Sequence, residues 1–253
     1  MLLLLDIGNT HTHLGLANDK RVRRHCNLDT SEWRDGSGMA RIDEFIGRSQ
    51  IDAAAFCSVV PRMTPLCTRF LRKRKLRFLE LTSRTIRGIG IDYPNPETIG
   101  PDRLANAIAV NAFFGAPALV VDFGTAVTFD VVNAAGKYVG GIIAPGLSAM
   151  TDYLHEKTAL LPKITIREPG GIIGKNTRQA MLIGAVHGYR GLIRGLIREL
   201  KAELKARRLP VVATGGYAEL IADRMPEITA VQPNLTLEGL RLFWLAHRGE
   251  RVN

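Results

Sequence analysis

The feature that most restricts what this chain can fold into is a passage that occurs twice. The apolar run Leu2-Leu3-Leu4-Leu5 ends in Asp6-Ile7-Gly8-Asn9-Thr10, and Ala118-Leu119-Val120-Val121 ends in Asp122-Phe123-Gly124-Thr125-Ala126. Each is followed by a second apolar segment (Leu14 and Leu16 alternating with smaller residues, then Thr128 to Val132), by turn residues (Asn18-Asp19-Lys20, then Asn133 to Lys137) and by a returning strand. Asp6 and Asp122 stand 116 residues apart (122 − 6), close to half of the 253-residue chain. That spacing predicts an internal duplication into two lobes of one kind, and no repeat of solenoid period accompanies it. The expected boundary lies near the second strand, with one lobe over 1–115 and the other over 116–253.

Between these passages the pattern alternates helices with strands. A helix is expected around Gly38 to Ser49, a strand at Ala53 to Val60, a helix from Arg62 to Lys75 and a strand at Leu76 to Leu81. Gly88 to Thr98 reads as a loop, and Pro101 to Phe114 as a helix with proline in its first turn. Beyond the second hairpin come a helix near Leu147 to His155, a loop through Pro169-Gly170-Gly171 and a long helix from about Thr177 to Arg207. A strand at Val211 to Thr214, a short helix and an amphipathic helix over Thr236 to Ala246 complete the chain. The fold class this predicts is α/β.

An acid at the end of a buried strand costs free energy unless something uses it. A hydrated magnesium ion would, because it takes one or two carboxylates together with phosphate oxygens. Gly8 clears the backbone for a phosphate, and Asn9 and Thr10 add donors. An ordinary strand exit also contains Asp, Gly and Asn; recurrence as Asp122-Phe123-Gly124-Thr125 favours a shared chemical use. Two such turns facing each other would hold phosphates from both sides, which is the logic of the actin-like ATPases and sugar kinases. Gly170-Gly171-Ile172-Ile173-Gly174-Lys175-Asn176 has one residue too few for a P-loop and lacks its Ser/Thr, and no G-x-G-x-x-G follows a strand. In Gly100-Pro101-Asp102-Arg103, Asp102 at a helix start could accept the proton of an attacking hydroxyl, with a pKa that the helix N-terminus is expected to hold low. Arg103 offers a fork for a carboxylate or phosphate.

Together these residues resemble the type III pantothenate kinases of the acetate and sugar kinase/Hsc70/actin superfamily. The resemblance rests on Asp6-Ile7-Gly8-Asn9-Thr10, on Tyr93-x-Asn95-Pro96 leading to Gly100-x-Asp102-Arg103, and on Asp122-x-Gly124-Thr125-Ala126-x-Thr128. It continues in Gly140-Gly141-x-Ile143-x-Pro145-Gly146, Asn176-Thr177, Gly215-Gly216 and Leu237-Glu238-Gly239-Leu240, in family order over nearly the whole chain. Pro101, where the family has a small residue, and His11 depart from the pattern. The resemblance implies two ribonuclease-H-like (actin-like) lobes with a nucleotide cleft between them, and ATP-dependent phosphorylation of pantothenate, the first step of coenzyme A biosynthesis. It implies that Asp6, Ile7, Gly8, Asn9, Thr10, His11, Thr12, His13 and Thr125 bind ATP, with Asp6 near Mg²⁺. Asp102 becomes the catalytic base. Tyr93, Gly100, Pro101, Arg103 and Thr177 surround pantothenate, and Asp122 serves a monovalent cation, K⁺ or NH₄⁺. A homodimer is implied as well.

Composition limits the alternatives. A hydrophobic fraction of 46% and a charged fraction of 23% suit a folded globular chain. The leucine run meets Asp6 far short of the roughly 20 apolar residues of a membrane span, so the cytoplasm is the expected compartment and no membrane is expected as partner. Cys26, Cys57 and Cys67 have no C-x-x-C spacing and read as small buried residues. A net charge of +10 admits two rivals to the pantothenate reading: a kinase of another small hydroxy compound, or a non-enzymatic regulator on this fold that binds nucleic acid. The densest basic run, Arg69 to Arg77, has no aromatic interleaving and reads as a solvated face. Arg194, Arg198, Lys201, Lys205, Arg207 and Arg208 read as the wet side of the long helix. His11 and His13 alternate on one strand as polar surface residues.

Overall fold

The computed structural model describes residues 1–206 and 208–248; Arg207 lies outside them. By internal contacts the chain falls into two units. The first holds Met1–Gly115, Gly136–Gly140 and the segment from Asn234 onward, and the second holds Ala116–Ala135 and Gly141–Pro233.

In the first unit, β1 (Leu2–Ile7), β2 (His11–Ala17) and β3 (Val22–Asp29) form the expected meander. After it come α1 (Glu32–Asp35), α2 (Ser37–Ile46), β4 (Ala53–Ser58), α3 (Thr64–Lys73) and β5 (Arg77–Glu80), and the sheet order is β3-β2-β1-β4-β5. β1 pairs antiparallel with β2 and parallel with β4, so it is the centre of the sheet. Four consecutive leucines suit that place because both faces of β1 are covered. Leu3, Leu5 and Ile7 join Leu14, Leu16, Trp33, Phe45, Phe56 and Phe70 in one buried cluster. The even-numbered residues leave by the opposite face, where α4 (Pro101–Phe114) also lies against the sheet. The loop over Gly88 to Thr98 contains a two-residue strand, β6 (Gly90–Ile91), and a 3-10 turn at Pro96–Thr98.

The second sheet repeats the scheme. β7 (Ala118–Phe123), β8 (Ala126–Val132) and β9 (Lys137–Pro145) are a second meander, followed by α5 (Leu147–Lys157), α6 (Thr177–Glu203), β10 (Val211–Thr214), α7 (Ala218–Ala222) and β11 (Ala230–Val231). The order here is β9-β8-β7-β10-β11, strand for strand that of the first sheet, and β6 pairs with the opening residues of β9. β7 pairs antiparallel with β8 and parallel with β10. Asp6 and Asp122 are each the penultimate residue of the central strand of their sheet. The final helix, α8 (Leu235–Ala246), belongs to the first unit and packs on α4. Among the described residues no helix is long and apolar enough to cross a membrane.

Candidate active site

Strand parity decides where Asp6 points. It follows Leu2 and Leu4 on the α4 side of the first sheet, and it is 8% exposed. Its register partner on β4 is Cys57, whose fully buried thiol donates to Asp6 Oδ1 at 3.3 Å. Desolvation, then the charges of Asp6 and Asp102, push the Cys57 pKa well up, which keeps it a thiol and therefore a donor. Both carboxylates thus act on one side chain, so Asp6 and Asp102 share one neighbourhood. The sequence treats Cys57 only as a small buried residue. Its contact with Asp6 depends on register between strands 51 residues apart, which no local pattern carries.

Asp102 stands in the first turn of α4, after Gly100 as N-cap and Pro101 at the first helical position, so Pro101 is accommodated. The Arg103 amide donates to Asp102 Oδ1 at 2.8 Å and to the Gly100 carbonyl at 3.0 Å. The expectation of a low Asp102 pKa is corrected here. Desolvation of the carboxyl raises it and outweighs the Arg103 amide and guanidinium, because loss of water penalises the charge more than one amide and one partner restore. The Arg103 guanidinium lies 5.8 Å over the buried Tyr138 ring, and half-exposed Tyr93 meets Tyr138 edge-on at 6.3 Å between centroids. Arg103, Tyr93 and Asp102 therefore all belong to the first unit.

The turn from Gly8 to Thr10 joins β1 to β2, with Asn9, Thr10 and His11 exposed. Ile7 and Thr12 are fully buried, so their side chains belong to the core beneath the turn. His13 bonds Asn27 Oδ1 at 2.8 Å, and His11 Nε2 stands 3.5 Å from Asp29 Oδ1.

In the second unit the corresponding turn is Gly124-Thr125, with Thr125 exposed. The loop after β10 closes on the end of β7. A Cβ on Gly215, which has φ +90°, would stand 2.6 Å from Asp122 Oδ1, so only glycine fits beside that carboxylate. Asn176 caps α6 by accepting from the Gln179 amide at 2.9 Å, while Gln179 Oε1 accepts from the Lys175 amide at 2.9 Å, a reciprocal box that fixes Thr177 as the first, exposed residue of the helix. The glycine-rich stretch before it lies in coil with no strand leading into it, so it is no P-loop. Buried Arg190 of α6 holds Glu168 by two bonds, at 3.0 and 2.7 Å, and donates to the Leu220 and Ile221 carbonyls.

Comparison with known proteins gives the family and the fold. The family model described as type III pantothenate kinase matches residues 2–199. A type III pantothenate kinase of Akkermansia muciniphila is 47% identical over 240 residues, covering 95% of this chain and 96% of that protein. One of Methylacidiphilum infernorum is 41% identical, covering 96% and 87%. Among solved structures, a Sinorhizobium meliloti protein assigned as a 2-dehydro-3-deoxygalactonokinase superposes with a TM-score of 0.59 at 13% identity, covering 100% of this chain and 99% of that one. At that identity it speaks for the fold alone, a two-sheet α/β architecture of the actin-like and sugar-kinase kind. A match over most of the length in both family and relatives leaves one conclusion: the chain belongs to the type III pantothenate kinase family.

Proposed function

We propose that this chain transfers the γ-phosphoryl group of ATP to the primary hydroxyl of pantothenate, the opening step of coenzyme A biosynthesis. The observation that carries the reading is the pairing, in the first unit of a pantothenate-kinase family member, of a strand-end carboxylate with a raised-pKa carboxylate at a helix start, both acting on the Cys57 thiol. In the reaction the pantothenate hydroxyl oxygen bonds to the γ-phosphorus as the bond to the bridging oxygen of ADP breaks. The hydroxyl proton passes to the Asp102 carboxylate. Such a transition state is loose, so positioning outweighs basicity. Arg103 pairs with the pantothenate carboxylate, with Tyr93, Gly100, Pro101 and Thr177 around the substrate. The Asp6–Thr10 turn and Thr125 meet the phosphates.

Asp6 suits Mg²⁺: it supplies the single carboxylate that the ion takes when phosphate and water provide its other oxygens. Bound with ATP, that ion would neutralise phosphate charge. Asp122, closely covered by the Gly215 backbone, offers a hard oxygen to K⁺ or NH₄⁺. The same reading includes a homodimer, two lobes divided near 115, and the cytoplasm as the place of work. The test is phosphorylation of pantothenate against a panel of sugars, glycerol and acetate. Turnover with pantothenate alone supports the assignment, and turnover only with another acceptor replaces it.

A further inference from the structure

Beneath the Gly8–Thr10 turn runs a chain of buried hydrogen bonds whose direction can be worked out. The Thr30 hydroxyl lies 2.7 Å from the Gly8 carbonyl, and a carbonyl only accepts, so Thr30 spends its one proton there. The Trp33 indole N–H only donates, and it does so to Thr12 Oγ1 at 3.0 Å. Thr12 Oγ1 and Thr30 Oγ1 are 3.1 Å apart. With the Thr30 proton already committed, Thr12 must be the donor between them. The relay therefore runs one way, from Trp33 through Thr12 and Thr30 to Gly8, and each bond polarises the next. Thr12 is 0%, Thr30 3% and Trp33 1% exposed, so water does not compete. Thr30 grips the turn a second time, its amide donating to the Thr10 carbonyl at 2.9 Å.

The consequence lies on the outer side of the turn. The peptide joining Gly8 to Asn9 is planar and trans, so its C=O and N–H point in opposite directions. Drawing the Gly8 carbonyl inward to Thr30 turns the Asn9 amide outward. We infer that Thr30, backed by Thr12 and Trp33, is a positioning residue that aims the Asn9 N–H at a phosphate oxygen of the nucleotide. This rests on the reading of the turn as an ATP phosphate site. It also gives Thr12 an indirect part, since its hydroxyl is engaged inside the protein.

The experiment is calorimetric titration of the Mg²⁺ complex of the nonhydrolysable analogue AMP-PNP into the full-length protein, with KM for ATP and for pantothenate measured alongside. Thr30→Val keeps the shape and removes the hydroxyl; the expected result is about tenfold weaker analogue binding and a matching rise in KM for ATP. KM for pantothenate stays within about twofold, and Thr30→Ser restores analogue binding to within about twofold of wild type. A folded Thr30→Val protein that binds the analogue as wild type does would overturn the inference. If Thr30→Val fails to fold, Trp33→Phe decides. It removes the head of the relay and should weaken binding about threefold in protein shown to be folded, and unchanged binding refutes the relay. Wild-type protein that binds the analogue but phosphorylates no pantothenate would break the functional reading while leaving the relay measurable.

Discussion

At the scale of single residues, Asp102 carries opposing demands. Its raised pKa means that in the window between the ordinary aspartate value of 3.8 and the raised one, the folded protein binds more protons than the unfolded chain. Stability contributed by this group is therefore greatest at low pH and is lost as pH rises through the folded pKa. The proposed catalytic role asks the opposite, since a base must be ionised to take a proton. Two results are expected. kcat/KM for pantothenate falls on the acid side with a midpoint above 3.8, read from a pH–rate profile. Asp102→Asn lowers kcat by about 10²- to 10⁴-fold, while a thermal melt at pH 7 shows it at least as stable as wild type. A variant that loses activity and stability together would mean that the carboxylate serves the fold. Asp6 and Asp122 are legible in the sequence because each closes an apolar run, and Asp102 because it follows Gly100-Pro101 at a helix start. The upward direction of the Asp102 shift is not, because it depends on how much water the surrounding packing removes.

At the scale of elements, what is local was legible and what is decided across the chain was not. The two meanders follow from apolar runs separated by turn residues, and α4 from its proline and its periodicity. β6 and β11 have two residues each and exist only because a distant strand edge is there to pair with. α1 has four residues, too few for a helical period to show. The grouping of α8 with the first unit is also non-local, and its packing on α4 includes one close backbone approach. A Cβ on Gly239 would fall on the Ala105 carbonyl of α4. Alanine is favoured over glycine within a helix by about 1 kcal/mol, but overpacking against backbone costs roughly 1–3 kcal/mol and no rotamer relieves it. Gly239→Ala should therefore lower the melting temperature, and the larger Gly239→Val should lower it further. An increase with alanine would show that α8 and α4 separate freely.

At the scale of the whole molecule, two sheets with one strand order, each ending its central strand in Asp-x-Gly, make the duplication structural as well as sequential. The basic surface has a less specific meaning. Arg69, Arg72, Lys73, Lys75 and Arg77 are exposed, while Arg74 is held by Asp43 and lies 4.3 Å over the Phe70 ring. On the long helix Arg194 pairs with Glu227 at 2.6 Å and Arg198 with Glu199 at 3.1 Å. A surface of this kind gives weak, salt-screened attraction for anions. Nucleic acid binding measured between 50 and 200 mM salt should be weak and lost at the upper end, with no effect on turnover. Tight binding that persists would favour the regulator reading.

Whether Asp102 takes the proton as pantothenate is phosphorylated is read out by ADP release from ATP and Mg²⁺. It is measured with and without pantothenate, in K⁺ and then in Na⁺ buffer, for wild type and Asp102→Asn. The expected release requires pantothenate, is faster in K⁺ and is about 10²- to 10⁴-fold slower in the variant. Pantothenate-independent release, no release from folded wild-type protein, or full activity in Asp102→Asn would contradict it.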